Sequence, residues 1–208
     1  MKTSAPLLDS WLAGPLGRAV LLAEAELLHQ ALDDVFGWEL VQMGLWGQPR
    51  GLLDGCRTQR KTIVAQAALT GNVDHAPDVV ARLSQLPIAN AAVDAVLLPH
   101  TLEFEHDPYA VVREADRVLE PGGQLLIEVP DAERYGEFPI GSAFWISIRE
   151  HIFHYTARAL TAALRTHGFD VREVVRKTLP TPEFAYPSLM VLSRKTETLS
   201  PAVCTPSA

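Results

Sequence analysis

Cysteine is scarce in this chain. Only Cys56 and Cys204 occur in 208 residues, one in a mixed segment and the other in the polar tail. Two widely spaced thiols suggest neither a disulfide framework nor a zinc knuckle. A reducing, cytoplasmic setting is therefore expected.

Long apolar runs are also lacking. Near the amino terminus any such run is interrupted by Asp9, Pro15, Arg18 and Glu24, which makes this region a poor signal peptide. No stretch approaches the roughly eighteen uninterrupted apolar residues that a membrane span needs. We therefore expect no membrane partner.

The chain has no excess of positive charge and no phosphate-binding loop. Its formal net charge is −7, and no basic stripe stands out, so a nucleic-acid partner is not favoured. The pattern Gly-x-x-x-x-Gly-Lys-Ser/Thr is absent, which gives no support to a nucleotide-handling enzyme of the P-loop type. The sequence leaves the oligomeric state open.

What the sequence does contain is an alternation of strand-like and helix-like segments. One helix is predicted over residues 15–36, with Glu24 on its solvent face and Gly37 at its end. A second helix starts at the N-cap Asp107 and is ended by Pro121-Gly122-Gly123, and a third runs from Thr156 to Gly168. Strands are predicted at residues 38–44, 62–66, 78–83, 93–98, 124–129, 169–177 and 188–194.

This order predicts an α/β protein, a Rossmann-like doubly wound sheet that is mostly parallel and ends in an antiparallel edge pair. Only about eleven residues, 67–77, separate the second and third strands, fewer than a parallel crossover normally needs, so the fold is expected to be shortened there. We predict a helical cap over residues 1–37, the main domain over 38–194 and a disordered tail over 195–208.

Four segments in the second half carry a family resemblance. They are Leu86-Pro87-Ile88 with Ala92–Val96, His100–Glu103 with Asp107-Pro108, Arg117–Gly123, and Glu150–Thr156 with Leu160 and Gly168-Phe169. In order and spacing they resemble class I S-adenosylmethionine-dependent methyltransferases of the UbiE/UbiG-like group (methyltransferase type 11). Through Gly44–Gly47, Arg57–Gln59 and Leu98–Leu102 the chain also resembles the bacterial YafS-like subset, whose glycine motif is similarly degenerate.

The resemblance implies a cofactor site at the end of the first strand. Gly44 fits the family's first glycine, Trp46 falls on the second and Gly47 comes one place early. Gln42 and Gln66 stand near the expected acids, and Arg82 replaces an adenine-contacting Asp. The expected contacts to S-adenosylmethionine are Gln42, Gly44, Trp46, Gly47, Gln66, Arg82, Leu83, His100 and Leu102. Two alternatives stay open: the glycines could form a plain turn, and Trp46 could close the core.

Methyl transfer from a sulfonium mainly requires alignment and exclusion of water. If a general base is used, His100 and His154 are the candidates. The acceptor is expected to be a small molecule reached past the loop 130–150, with Phe138, Phe144, Trp145 and Phe153 as a lid or core cluster. No metal is expected, because Glu150, His151 and His154 need not converge. The alternative is a non-catalytic binding module of the same fold that has lost the cofactor.

Overall fold

The computed structural model of the protein describes residues 12, 14–47, 50–66, 76–137, 146, 151–180 and 185–197. Residues 67–75 of the predicted crossover, residues 1–11 and 13 of the predicted cap, most of the predicted lid (Phe138, Phe144, Trp145), Glu150 and the segment 198–208 lie outside the described residues. Among the helices that are described, none combines the length and apolarity needed to cross a membrane.

A seven-stranded sheet forms the centre of the protein, in the order β3-β2-β1-β4-β5-β7-β6. Its strands are β1 Phe36–Met43, β2 Arg57–Ala65, β3 Val79–Val80, β4 Val93–Pro99, β5 Leu119–Pro130, β6 Phe169–Pro180 and β7 Ala185–Lys195. The pairs from β3 to β5 are parallel, and β7 is antiparallel to both β5 and β6. The predicted fold class, a mostly parallel α/β sheet with antiparallel strands at one edge, is confirmed.

Within the described part of the chain, three α-helices flank the sheet: α1 Pro15–Leu32, α2 Pro108–Val118 and α3 Ala157–Thr166. The predicted caps of the last two are confirmed. Asp107 accepts a hydrogen bond from the Ala110 N–H at 2.9 Å, and the Thr156 hydroxyl accepts one from the Ala159 N–H at 3.1 Å. Short 3₁₀ turns occur at Gly51–Leu53, Leu102–Phe104 and Ala132–Glu137.

Helix α1 is shorter than predicted because Gly37 does not end it. The helix stops at Leu32, and Gly37 lies inside β1 with φ +147°. A Cβ at Gly37 would lie 2.2 Å from Cγ of Asp94. The Asp94 carboxylate accepts hydrogen bonds from the N–H groups of Trp38 and Glu39, both at 2.8 Å. The glycine is therefore needed for the approach of a β4 side chain.

Strand boundaries also differ from those predicted. Strand β2 begins at Arg57, well before the predicted residue 62, whereas β3 contains only Val79 and Val80. The Pro-Gly-Gly segment lies within β5 and not at the end of α2, which stops at Val118. There the register between β4 and β5 shifts.

The division into cap, domain and tail stays a prediction, although β7 extends to Lys195, the first residue of the predicted tail.

The two faces of the sheet pack against different helices. On one face, side chains of β1 and β4 such as Val41 and Val96 join a core cluster with α2 and α3. On the other face, Leu40 and Leu97 pack with Leu28 and Leu32 of α1. This alternation is the period-two pattern of strands buried on both faces. It places α1 on the face of the sheet opposite to α2 and α3.

Candidate functional site

A cluster of buried polar side chains lies beneath α1, where β4 and β5 end. Glu24 comes from α1, His100 follows β4, Glu103 lies in the next 3₁₀ turn and Glu128 is near the end of β5. The three glutamates are fully buried and His100 is 3% exposed. Such burial is expensive unless the groups are paired with one another or with a ligand.

His100 connects two of these carboxyl groups. Its Nδ1 lies 2.8 Å from Oε1 of Glu103 and its Nε2 lies 3.0 Å from Oε1 of Glu24. Burial lowers the pKa of His100, but the two carboxylates outweigh it and hold that pKa well above its ordinary value. The backbone of His100 has φ +44°, a conformation that is uncommon outside glycine and is often found at functional sites.

Trp46 closes the site from the end of β1. Its indole stacks on the His100 ring, with centroids 4.1 Å apart and planes at 28°. Its Nε1 donates a hydrogen bond to Oε2 of Glu24 at 2.6 Å. One carboxylate on α1 therefore contacts both rings. The sequence left open whether Trp46 contacts the cofactor or closes the core. The structure places the indole in the core, where Trp46 is 6% exposed.

Glu128 occupies the β5 side of the cluster. Its Oε1 accepts a hydrogen bond from the Ser188 hydroxyl at 2.7 Å, whereas its Oε2 has no partner among the described residues. Burial raises the pKa of Glu128 to about 8, and the charge of Glu24 adds to this rise while His100 opposes it. The hydroxyl of Tyr186 lies 3.4 Å from Nδ1 of His100.

Sequence reasoning missed most of this cluster. The prediction that Glu24 faces solvent was wrong, because its carboxylate bonds two buried rings. Glu128 could have been identified from the sequence as a member of a polar site, since a charged residue inside an otherwise apolar strand needs a partner. Ser188 and Tyr186 gave none, because only the antiparallel pairing of β5 with β7 brings them here.

The two predicted cofactor glycines form a turn with positive φ. Gly44 has φ +102°, and a Cβ there would lie 2.5 Å from Oγ1 of Thr101. Gly47 has φ +53°, and its Cβ would meet the Leu21 side chain of α1 at 2.2 Å. The described conformation thus satisfies the plain-turn interpretation, with α1 lying directly on the turn.

Two predicted glutamines lie at the ends of β1 and β2. Gln42 is fully buried; its Nε2 donates to the Gly44 carbonyl at 3.1 Å, and its Oε1 lacks a partner within the described part of the chain. Gln66 is exposed and donates to Oε1 of Glu105 at 2.6 Å. Burial raises the pKa of Glu105, although the hydrogen bond from Gln66 lowers it. Of these two amides, that of Gln66 is open to solvent, whereas that of Gln42 is enclosed by the protein.

The other predicted cofactor contacts are dispersed. Arg82 is exposed, whereas Leu83 and Leu102 are buried in the core beneath α2 and α3. The structure does not bring these three side chains together with the glycine turn into one open surface. A cofactor contact from either leucine requires that part of the core to open.

His154, the second predicted base, is exposed and lies apart from the buried cluster. Its Nδ1 is 3.2 Å from the hydroxyl of Tyr135. Its ring centroid is 6.0 Å from that of His151. Tyr155 donates a hydrogen bond to the Leu102 carbonyl at 3.3 Å, which fixes this segment against the turn after β4. Phe153 is half-buried beside Tyr155.

Part of the chain is similar in sequence to known proteins. The family model described as "Methyltransferase domain" matches residues 55–127. The protein YafS of Escherichia coli (strain K12), which is uncharacterised, is 29% identical over 119 residues, covering 57% of this chain and 47% of YafS. The chain spans less than half the length of the curated relatives it matches.

Solved structures match over most of the chain. An S-adenosylmethionine-dependent methyltransferase from Mesorhizobium loti has a TM-score of 0.64 at 18% identity, covering 83% of this chain and 98% of that one. The Burkholderia thailandensis 1,6-didemethyltoxoflavin-N1-methyltransferase, solved with its acceptor and S-adenosylhomocysteine, has a TM-score of 0.63 at 19% identity, covering 91% and 82%. Residues 55–127 therefore match a methyltransferase domain model, and the chain has the fold seen in these solved methyltransferase structures.

Proposed function

We propose that the protein is an S-adenosylmethionine-dependent methyltransferase that acts on a small-molecule acceptor. The observation that carries the proposal is the Gly44–Gly47 turn, which follows β1 next to β4 in the sheet. Open α/β sheets bind ligands at the carboxyl ends of their strands, where the strand order reverses. The methyltransferase domain match over residues 55–127 supports the same cofactor.

The residues around the turn fit such a cofactor. Gly44 and Gly47 have positive φ and no Cβ, and the space beside Gly47 is filled by the Leu21 side chain, so a ligand can approach that backbone once α1 moves. Gln42 Oε1 is a buried acceptor without a protein partner in the described chain. The Gln66 amide, exposed after β2, can bind ribose hydroxyls. When bound, S-adenosylmethionine supplies an electrophilic methyl group on its sulfonium.

Helix α1 acts as a cap over this turn in the proposed mechanism. Leu21 covers Gly47, and Glu24 holds the Trp46 indole against His100. Cofactor entry therefore requires α1 and the indole to move away from the turn. Closure afterwards would exclude water from the reacting groups, which is the main contribution a protein makes to this chemistry.

The two histidines have different proposed roles. Both ring nitrogens of His100 face carboxylates, so this residue holds the cap and is not free to accept a proton while α1 is closed. His154 is exposed and bonds only Tyr135 among the contacts described for its Nδ1. If the acceptor must lose a proton, we propose His154 as the base. The small-molecule acceptor would reach it from the side of residues 151–155.

Calorimetric titration with S-adenosylhomocysteine tests the proposal. We expect saturable binding to the wild-type chain and about tenfold weaker binding to Gln66→Ala, because a side chain bonding the ribose is lost. Gln59→Ala is the matched control, an exposed glutamine within β2, the strand that Gln66 follows, and should bind like the wild type. No saturable heat at millimolar ligand would contradict the proposal and favour a non-catalytic binding module.

A further inference from the structure

The buried cluster under α1 contains donors of the kinds that bind transition metals. One ligand atom each from Glu24, His100 and Glu128 lies within 4.8 Å of the other two. An imidazole nitrogen with two carboxylate oxygens is a mixed donor set that suits first-row divalent ions better than Mg²⁺ or Ca²⁺. We propose that these three side chains bind one divalent transition-metal ion, and zinc is the ion used to test this proposal.

The distances are close to those of a real site. With bond lengths of about 2.1 Å, two ligands of a tetrahedral zinc ion lie roughly 3.4 Å apart. Nε2 of His100 and Oε1 of Glu24 are 3.0 Å apart, and the whole set lies within 4.8 Å. Binding of one ion therefore requires the three atoms, now within 4.8 Å of one another, to come to about 3.4 Å by rotation of their side chains. On binding, the ion replaces the proton between Nε2 and Glu24 and the proton held by the Glu128 carboxyl group, and both protons leave to solvent.

Glu128 supplies an independent observation in favour of a ligand. Its Oε1 is bonded to Ser188, which orients the carboxylate. Its Oε2 is fully buried without a partner among the described residues, although leaving a buried polar oxygen unpaired is costly. A cation beside Oε2 would remove this cost and offset the repulsion between the carboxylates of Glu24 and Glu128.

Glu103 provides the support that histidine ligands usually have. In metal sites the second ring nitrogen generally donates to a carboxylate, which fixes the tautomer and ring orientation. Here Nδ1 of His100 lies 2.8 Å from Oε1 of Glu103, so Nε2 is the nitrogen that faces Glu24. The stacked indole of Trp46 further limits ring rotation. Glu103 is therefore a positioning residue and not a ligand.

Because Glu24 belongs to α1, His100 directly follows β4 and Glu128 lies in β5, the ion would tie the cap to the carboxyl ends of β4 and β5. This inference does not rest on methyl transfer: metal binding and cofactor binding can each fail without the other. It revises the sequence-based expectation that no metal is bound, which considered only the histidines near residue 151.

The test uses the full chain, stripped with chelator and incubated with Zn²⁺ to equilibrium. We expect one equivalent of zinc by elemental analysis after desalting, a rise in the melting temperature, and a visible absorption band when Co²⁺ replaces Zn²⁺. Glu128→Gln and His100→Asn should each weaken zinc binding more than about tenfold, and Glu103→Gln about tenfold with an altered Co²⁺ spectrum. Mg²⁺ should not compete.

Glu114→Gln is the matched control, since Glu114 is a largely buried glutamate on α2 paired with Arg117. It should bind zinc like the wild type. If a ligand variant loses its fold, as judged by circular dichroism, the wild-type melting shift and Co²⁺ spectrum still decide the matter. Absence of bound zinc in the wild type, or binding that survives both ligand variants unchanged, would overturn the proposal.

Discussion

The carboxylate of Glu24 lies 2.6 Å from Nε1 of Trp46, so that a residue of α1 fixes the aromatic ring that follows β1. The same carboxylate contacts His100 through its other oxygen. These two contacts link α1 to the carboxyl edge of the sheet, and the effect of removing them should be measurable.

Replacement of Glu24 by alanine should destabilise the fold. The substitution leaves the Trp46 N–H and a charged His100 without their buried acceptor, and breaking such a buried pair costs roughly 3–5 kcal/mol. Urea unfolding should show this loss. Glu26→Ala removes an exposed glutamate from the same helix. The free energy of unfolding of this variant should stay within about 0.5 kcal/mol of the wild-type value. Equal effects from both variants would contradict the assigned contacts.

Two glycines with positive φ should respond differently to alanine. Gly44→Ala places a Cβ 2.5 Å from Oγ1 of Thr101, whereas a Cβ at Gly122 has no neighbour nearer than 3.8 Å. Gly122→Ala should therefore cost only about 1–2 kcal/mol of backbone strain. Gly44→Ala should cost clearly more, with thermal melting as the measurement. A Gly44→Ala variant as stable as Gly122→Ala would argue against the packing of Thr101 on the turn.

Stability should fall in acid through Glu114. Its pKa is lowered mainly by the hydrogen bond from Arg117, against the opposing effect of burial and with help from the Leu86 N–H. A carboxyl group with a depressed pKa stabilises the fold above its usual value of 4.5. That contribution is lost as the pH falls through the folded-state pKa. Glu114→Gln should flatten the stability profile below pH 4.5, and an unchanged slope would contradict this assignment.

Arg176 should not tolerate lysine. Its Nε and Nη2 donate to the two oxygens of the fully buried Asp131 at 2.7 and 3.1 Å. Lysine offers a single point charge and cannot reproduce this forked geometry. We expect Arg176→Lys to lose about 1–3 kcal/mol in urea unfolding. The exposed pair of Arg172 with Asp170 provides the control, since Arg172→Lys should have little effect.

Local features were predictable where a side chain contacts its own segment. Asp107 and Thr156 cap helices within three residues, and both predictions are confirmed. Gly37 and Glu24 were misread because their partners, Asp94 and His100, are distant in sequence. A glycine after an amphipathic run predicts a helix end, and a glutamate within it predicts a solvent face. Tertiary contacts override both patterns.

The strand order explains why the other residues of the buried cluster could not be predicted from the sequence. Tyr186 and Ser188 reach the cluster only because β7 lies between β5 and β6. Periodicity identifies strands but does not give their neighbours. The resemblance in the second half of the chain predicted the sheet, whereas the polar cluster depends on cross-strand positions that no local motif encodes.

The placement of β7 has a consequence for how this domain is made on the ribosome. Since β5 pairs with β7 and not with the earlier-synthesised β6, its edge stays unpaired until residues 185–195 emerge. An unpaired apolar edge on a nascent chain is prone to aggregation. Truncation before Ala185 should therefore yield a chaperone-dependent, insoluble product instead of a smaller folded domain.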